Sequence, residues 1–304
     1  MLAGTGFVAQ LVNSALGMGY GVTSTTVLLA LGASPAVAAA TVNVSQVGSQ
    51  LVSGLAHWRL GNVDWPVVRR LAVPGAVGAF AGATFLSSLA TERAAPLMSA
   101  LLLSLGTYVL VRFTVWGTPR GRSGPLLRRR FLAPLGLVGG FLNSTGGGGW
   151  GPVGTTALLA SGRLRPRTVV GSISAAEFLV VLSGSAGFVV GLGLAGINPH
   201  WAGLMLAGGL LAAPPAAWLA RHVPPRLLGS LTGGLIVVVN VRVLIGWVTM
   251  PPAAASGLLV ATIGVWGGAV AWSARAHLRG RRAAQPAGIP GTRLPRLEAM
   301  RDLP

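Results

Sequence analysis

Cysteine and lysine are both absent from this 304-residue chain, and acidic residues number only five. Without cysteine there can be no disulfide, no thiolate metal site and no thiol redox chemistry. Charged residues make up 9% of the chain, where a soluble domain would carry about 25%. The formal net charge of +18 therefore rests wholly on arginine. Histidine is scarce as well. His57, His200, His222 and His277 fall at or beyond the ends of apolar runs, and no pair has metal-ligand spacing, so neither a metal nor a cofactor is expected. No GxxxxGK[ST] motif occurs, which leaves direct ATP drive unsupported. Apolar sequence starts almost at Met1, with no basic stretch and cleavage site ahead of it, so a removable signal peptide is not expected.

What the chain has instead is apolar sequence. Hydrophobic residues make up 52% and mean hydropathy is +0.69, in runs of roughly 20 residues, the length that crosses a bilayer as a helix. This composition predicts an all-α, polytopic integral membrane protein. So basic a chain first suggests nucleic acid as a partner. Its arginines, however, lie between and after the apolar runs rather than along one face, as in cytoplasmic loops under the positive-inside rule, and no nucleic acid is expected.

One stretch organises the rest: NSTGGGGWGPVGTT, residues 143–156, inside an apolar run from about 131 to 161. Each Gly costs roughly 1 kcal/mol and Pro roughly 3 kcal/mol relative to Ala in a helix interior, so the helix must break here. In hydrocarbon a broken backbone survives only where protein or a watery cavity satisfies its polar groups. The helix is expected to resume at about 153–161, turning the N–H groups of Val153, Gly154 and Thr155 toward an anion in the gap.

The first apolar run, 2–31, has its own break at GMGYG, residues 17–21, and matches the second without a gap over about twenty positions. Asn13 falls on Asn143, Ser14 on Ser144, Gly17 on Gly147, Gly19 on Gly149, Tyr20 on Trp150, Thr25 and Thr26 on Thr155 and Thr156, and Gly32 on Gly162. One residue of shift then puts Pro35 on Pro166, Asn43 on Ser174 and Gln46 on Glu177; farther on, GNVDW at 61–65 resembles GINPHW at 196–201, and Arg112 meets Arg242. The chain reads as a duplication. Broken helices at equivalent positions of two repeats are the strongest sequence sign of a transporter site between halves.

The boundaries follow: a first membrane repeat over 1–115, a cytoplasmic join over 116–130, a second repeat over 131–248, an added span over 249–274 and a disordered basic cytoplasmic tail over 275–304. The other apolar runs are about 36–57, 67–90, 95–115, 168–193, 201–220, 226–248 and 253–274, each long enough to cross. Arginines at 120, 122, 128, 129 and 130, and again at 163, 165 and 167, place both flanks of the 131–161 stretch in the cytoplasm. That stretch then enters and leaves on one side, and the two repeats are inverted, each with a Gly-broken, re-entrant helix plus three spans. The alternative makes both broken runs full spans in parallel repeats with about nine crossings, and it puts one arginine-rich loop outside.

These motifs resemble the sulfite exporter TauE/SafE family of bacterial permeases over about residues 4–248. The duplicated Gly-rich break, the Pro about 14 residues later and the GN-V-DW element carry the resemblance, most fully in GGGGWGPVGTTALL with Pro166 and GSISAAE. The first half departs from the pattern: GMGYG has fewer glycines, and Val22 stands where Pro152 stands. The resemblance implies export or uptake of a small anion, notably sulfite or an organosulfonate, across the bacterial plasma membrane.

Candidate substrate-binding residues are Asn13, Ser14, Gly19, Thr25, Thr26, Asn143, Ser144, Gly148, Gly149, Trp150, Thr155 and Thr156, which flank or form the breaks. Neutral donors suit an oxyanion that must also be released, although Asn, Ser and Thr equally cap helices. Trp150 either walls the pocket or packs. Glu177, the only carboxylate well inside an apolar run, and its repeat mate Gln46 are candidates for coupling; Glu177 is a proton carrier, a substrate partner or a structural acid bonded to backbone at the break. Arg242 is expected to snorkel to the interface, Gly75, Gly78 and Gly82 to allow close helix packing, and Trp58, Trp65, Trp201, Trp247 and Trp266 to form an aromatic belt. The expected partners are a small anion and membrane lipid. Two rival functions remain. An intramembrane enzyme would need a base beside Ser172 or Ser174, and no His lies mid-span to provide it. A non-transporting accessory protein would not need polar residues at both breaks.

Overall fold

The computed structural model describes residues 2–16, 19–116, 129–161, 163–212 and 225–284. The arginine-rich join at 117–128, the glycines at 17 and 162 and the tail beyond 284 lie outside the described residues. Every regular element among the described residues is helical: α1 (Leu2–Leu16), α2 (Tyr20–Ala30), α3 (Pro35–Arg59), α4 (Trp65–Ser88), α5 (Thr91–Val111, prolonged by a π-turn Arg112–Trp116) and α6 (Arg129–Gly146). A π-turn (Gly151–Thr155) then runs into α7 (Thr156–Ala160), followed by α8 (Pro166–Leu192), a 3₁₀ turn (Leu194–Gly196), α9 (Pro199–Leu211), α10 (Pro225–Ile245) and α11 (Pro252–Ala284).

Five of these are long and apolar enough to cross a membrane: Trp65–Ser88, Thr91–Trp116, Arg167–Leu192, Arg226–Ile245 and Pro252–Leu278. The fold is that of an all-α polytopic membrane protein. α3 has the length, 25 residues, but is less apolar than residues 36–57 suggested, because Asn43, Ser45, Gln46, Ser49 and Gln50 line its buried side. α2, at 11 residues, rises only about 16 Å, roughly half the hydrocarbon thickness. It is a half-helix, as is the helical stretch 150–160. α11 runs past residue 274, to Ala284.

Equivalent residues of the two halves make equivalent contacts. α6 lies on α4 so closely that a Cβ on Gly136 would meet the Leu71 carbonyl, and α1 lies on α9 with Gly6 against the Met205 carbonyl. Trp150 packs on Gly75 as Tyr20 packs on Gly209. Asp64 and Asn198 cap α4 and α9 alike, each accepting the backbone N–H three residues on, from Val67 and Trp201, at 3.1 Å. The first helix of each half thus lies against the fourth element of the other half, and the glycines at 75, 78 and 82 sit on neighbouring backbone or Trp150 as expected.

The direction of the helices is read from the same contacts. Residues 43, 46 and 54 of α3 face 184, 177 and 175 of α8; residues 106, 110 and 113 of α5 lie against 236, 233 and 229 of α10. Both pairs run in opposite directions. Lipid-facing surface is apolar, as on α4 (Val73, Val77, Phe80, Phe85) and on α11 (Leu258, Val260, Ile263, Val265). α11 is held along α10, where the Trp266 indole N–H donates to the Ser230 carbonyl at 3.1 Å and Ser273 pairs with Ser230 at 2.6 Å. Trp58, Trp65 and Trp247 are exposed near helix ends, where a belt would lie.

Candidate functional site

The two breaks meet. α1 ends at Leu16 and α2 starts at Tyr20; α6 ends at Gly146 and helix resumes at Trp150. Gly19 (φ +111°) and Gly147 (φ +69°) take left-handed backbone there. Thr25 Oγ1 in α2 donates to the Gly147 carbonyl across the gap at 3.2 Å. A Cβ on Gly148 would fall on the Val22 nitrogen, and one on Gly21 on the Gly147 carbonyl oxygen. Backbone therefore touches backbone between the two broken segments, in a place that only glycine permits.

The second break is shorter than the sequence suggested. Asn143, Ser144 and Thr145 still belong to α6, and Pro152 sits inside the π-turn. The expected N–H groups at Val153–Thr155 are consequently one turn too far along, since the Val153 N–H already donates to the Gly149 carbonyl at 3.1 Å. Its counterpart does the same in the first half, where the Thr23 N–H donates to Gly19 at 3.0 Å. The N–H groups of the first turns, which have no partner within their own helix, are those of Trp150 and Gly151 on one side and of Tyr20, Gly21 and Val22 on the other, and the Trp150 N–H is capped by Asn143.

Side chains divide by what they already hold. Asn143 Oδ1 accepts the Trp150 N–H at 3.3 Å, which leaves Nδ2 unpartnered. Thr26 Oγ1 accepts from Asn240 Nδ2 at 3.0 Å, and Thr156 Oγ1 turns back to the Pro152 and Val153 carbonyls of its own helix. Thr155 is wholly buried, Asn13 half-buried, and Ser14 lies in α1 with its side chain outside the described ones. Gly149 sits against Leu142 and Asn143. Trp150 packs: its indole N–H donates to the Ile173 carbonyl at 3.2 Å, and its ring fills the space over Gly75.

Ser144 Oγ and Asn43 Oδ1 are buried, unpartnered and aimed at one spot, 2.7 and 2.8 Å from where a Cβ on Gly184 would lie. Asn43 is oriented by its Nδ2, which donates to the Ala39 carbonyl at 2.9 Å, so the atom it presents is an oxygen. One turn along α3, Gln46 Nε2 donates to Glu177 Oε1 at 3.2 Å. The structure thus joins the two coupling candidates to each other. Glu177 is 7% exposed, and its carboxylate is met by an amide rather than by freed backbone at the break. Ser172, one of the two serines weighed as a nucleophile, accepts the Asp64 N–H at 2.9 Å at the start of α4.

Two contributors were not singled out from sequence. Asn240 stands alone in VVVNVRV, and a lone amide in a span was a readable signal. Asn43 was matched to Ser174 but not placed at the site. Arg112 and Arg242, matched to each other, part company: Arg112 is buried near the Trp116 ring (5.9 Å), whereas Arg242 is exposed, as a snorkelling arginine would be.

The family model described as Sulfite exporter TauE/SafE matches residues 2–243. The chain belongs to the TauE/SafE family. Among curated proteins it is 47% identical over 246 residues to the "Probable membrane transporter protein YtnM" of Bacillus subtilis (strain 168), covering 80% of this chain and 82% of that protein. No solved structure matches it. The matched span holds both breaks, Gln46, Glu177 and Asn240, and stops before α11. This TauE/SafE protein is a multi-pass membrane transporter of the bacterial plasma membrane.

Proposed function

We propose that this transporter moves a small anion, sulfite or an organosulfonate, through the point where its two broken helices meet. The observation that carries the reading is the contact of the two breaks, Thr25 on Gly147 and Gly148 on Val22, deep between the halves. Helix N-termini directed into such a place favour negative charge, and neutral donors such as Asn143 Nδ2 and Ser144 Oγ hold an oxyanion without trapping it. The two halves act as inverted repeats, a reading supported by the opposed directions of α3 against α8 and of α5 against α10. Helices related by a two-fold axis in the membrane plane meet their mates only where they cross it. Gln46 with Glu177, and Gly106 with Ile236, are two such meetings of mates.

Glu177 carries a proton with the anion. Gln46 suits both states of the acid: Nε2 donates to the carboxylate, and the buried, unpartnered Oε1 is available to a carboxylic acid O–H after an amide turn. The test is flux of labelled sulfite, sulfate, thiosulfate, taurine, sulfoacetate and acetate into proteoliposomes. Sulfite or a sulfonate should move faster than acetate, and failure of every anion in the panel would end the proposal.

A further inference from the structure

The two half-helices are not held alike. α2 is tied to α10, because Asn240, fully buried, donates through Nδ2 both to the Ile236 carbonyl of its own helix at 2.8 Å and to Thr26 Oγ1 at 3.0 Å. In the register that pairs Thr26 with Thr156 and Arg112 with Arg242, the mate of Asn240 is Leu110, which has no polar side-chain atom to offer. Thr156 spends its hydroxyl within its own helix. Between α5 and the second half-helix there is instead a cavity of about 310 Å³, lined by Leu105, Tyr108, Pro152, Val153, Thr156 and Ala157. Pro152 and Val153 of its lining belong to the first turn after the break, and Leu105 also lies 3.9 Å from where a Cβ on Gly146, the last residue of α6, would stand.

We propose that the Thr26–Asn240 contact is a gate that shuts one mouth of the transport path, and that the cavity beside Tyr108 is the other mouth, open in this conformation. The inference rests on the permease reading above. In the opposite state α2 parts from α10 and the second half-helix closes on α5. A neutral hydrogen bond suits such a gate, because its net contribution is modest and water replaces it when the seam opens. Leu110 gives the α5 seam no such latch, so the two mouths differ in what holds them shut.

The chain has no cysteine, and Val27 and Ala157 are repeat mates, both partly buried, one beside each seam. Single Val27→Cys and Ala157→Cys proteins in lipid nanodiscs, open to reagent on both faces, are treated with a charged methanethiosulfonate, which reacts only where water reaches. Ala157→Cys should react several-fold faster than Val27→Cys. Adding Asn240→Leu should raise the Val27→Cys rate and lower the Ala157→Cys rate; Thr26→Val, nearly the same shape without the hydroxyl, should do the same if the larger change disturbs folding. Equal rates in the parent protein, or a ratio that neither substitution moves, would overturn the gate. Labelling is read without substrate, so equal rates with intact anion flux overturn the gate alone, whereas absent flux with the expected rates overturns the permease reading and leaves only the unequal seams, with no transport path for them to gate.

Discussion

At the scale of single residues the breaks are decided by what cannot fit. Gly148 has Val22 and Gly21 where a side chain would begin, so even Gly148→Ala should cost on the order of 1–3 kcal/mol in overpacking. Gly148→Leu should abolish anion flux while membrane insertion, followed by fractionation, is kept; a variant that transports normally would remove the break as the site. Thr25→Val deletes the hydroxyl that bridges the breaks and leaves the Gly147 carbonyl without it, a loss of about 1 kcal/mol, visible as a lower melting temperature in detergent. These glycines were legible in the sequence because four in a row cannot be helical. Which of them touched the other half was not, since residue spacing carries no information on depth or approach.

Among elements, the half-helices illustrate both the reach of sequence reading and its limit. Restarting the second one at Val153 followed from the cost of Pro152 in a helix interior. In the structure Pro152 lies in the first turn, where its missing N–H would have had no partner anyway, and helix begins at Trp150. α3 was read by its apolar content, and its polar side became visible only once α8 lay against it. The Gln46–Glu177 match, by contrast, was plain in the alignment of the two halves, and the structure brings the two side chains into hydrogen-bond contact. Glu177→Gln removes the titrating group but keeps a hydrogen-bonding side chain of the same size. Flux through that variant should lose its dependence on an imposed pH gradient, while anion binding persists. Unaltered dependence would leave Glu177 a structural partner of Gln46.

For the whole molecule, orientation is the property that loop arginines set and contacts cannot. Helices α3 and α8 run oppositely, and arginine counts predict that both flanks of the second break are cytoplasmic. An impermeant thiol reagent added to intact cells should therefore label Ser34→Cys, at the start of α3, and spare Ser123→Cys and Gly162→Cys. Labelling of one of the latter two would show that residues 131–161 cross the membrane, and inversion would have to be given up.

One carboxylate, whose repeat mate is an amide and not a second acid, would also set the electrical character of a proton-coupled cycle. A monoanion crossing with the single proton of Glu177 moves no net charge. Voltage would then do no work on transport, whereas a bare monoanion would be pushed by about 2.3 kcal/mol for every 100 mV. Sulfonate flux that ignores an imposed potassium diffusion potential in valinomycin-treated vesicles, yet follows pH, is the outcome expected of proton coupling through Glu177; sulfonate flux driven by the potential would count against it.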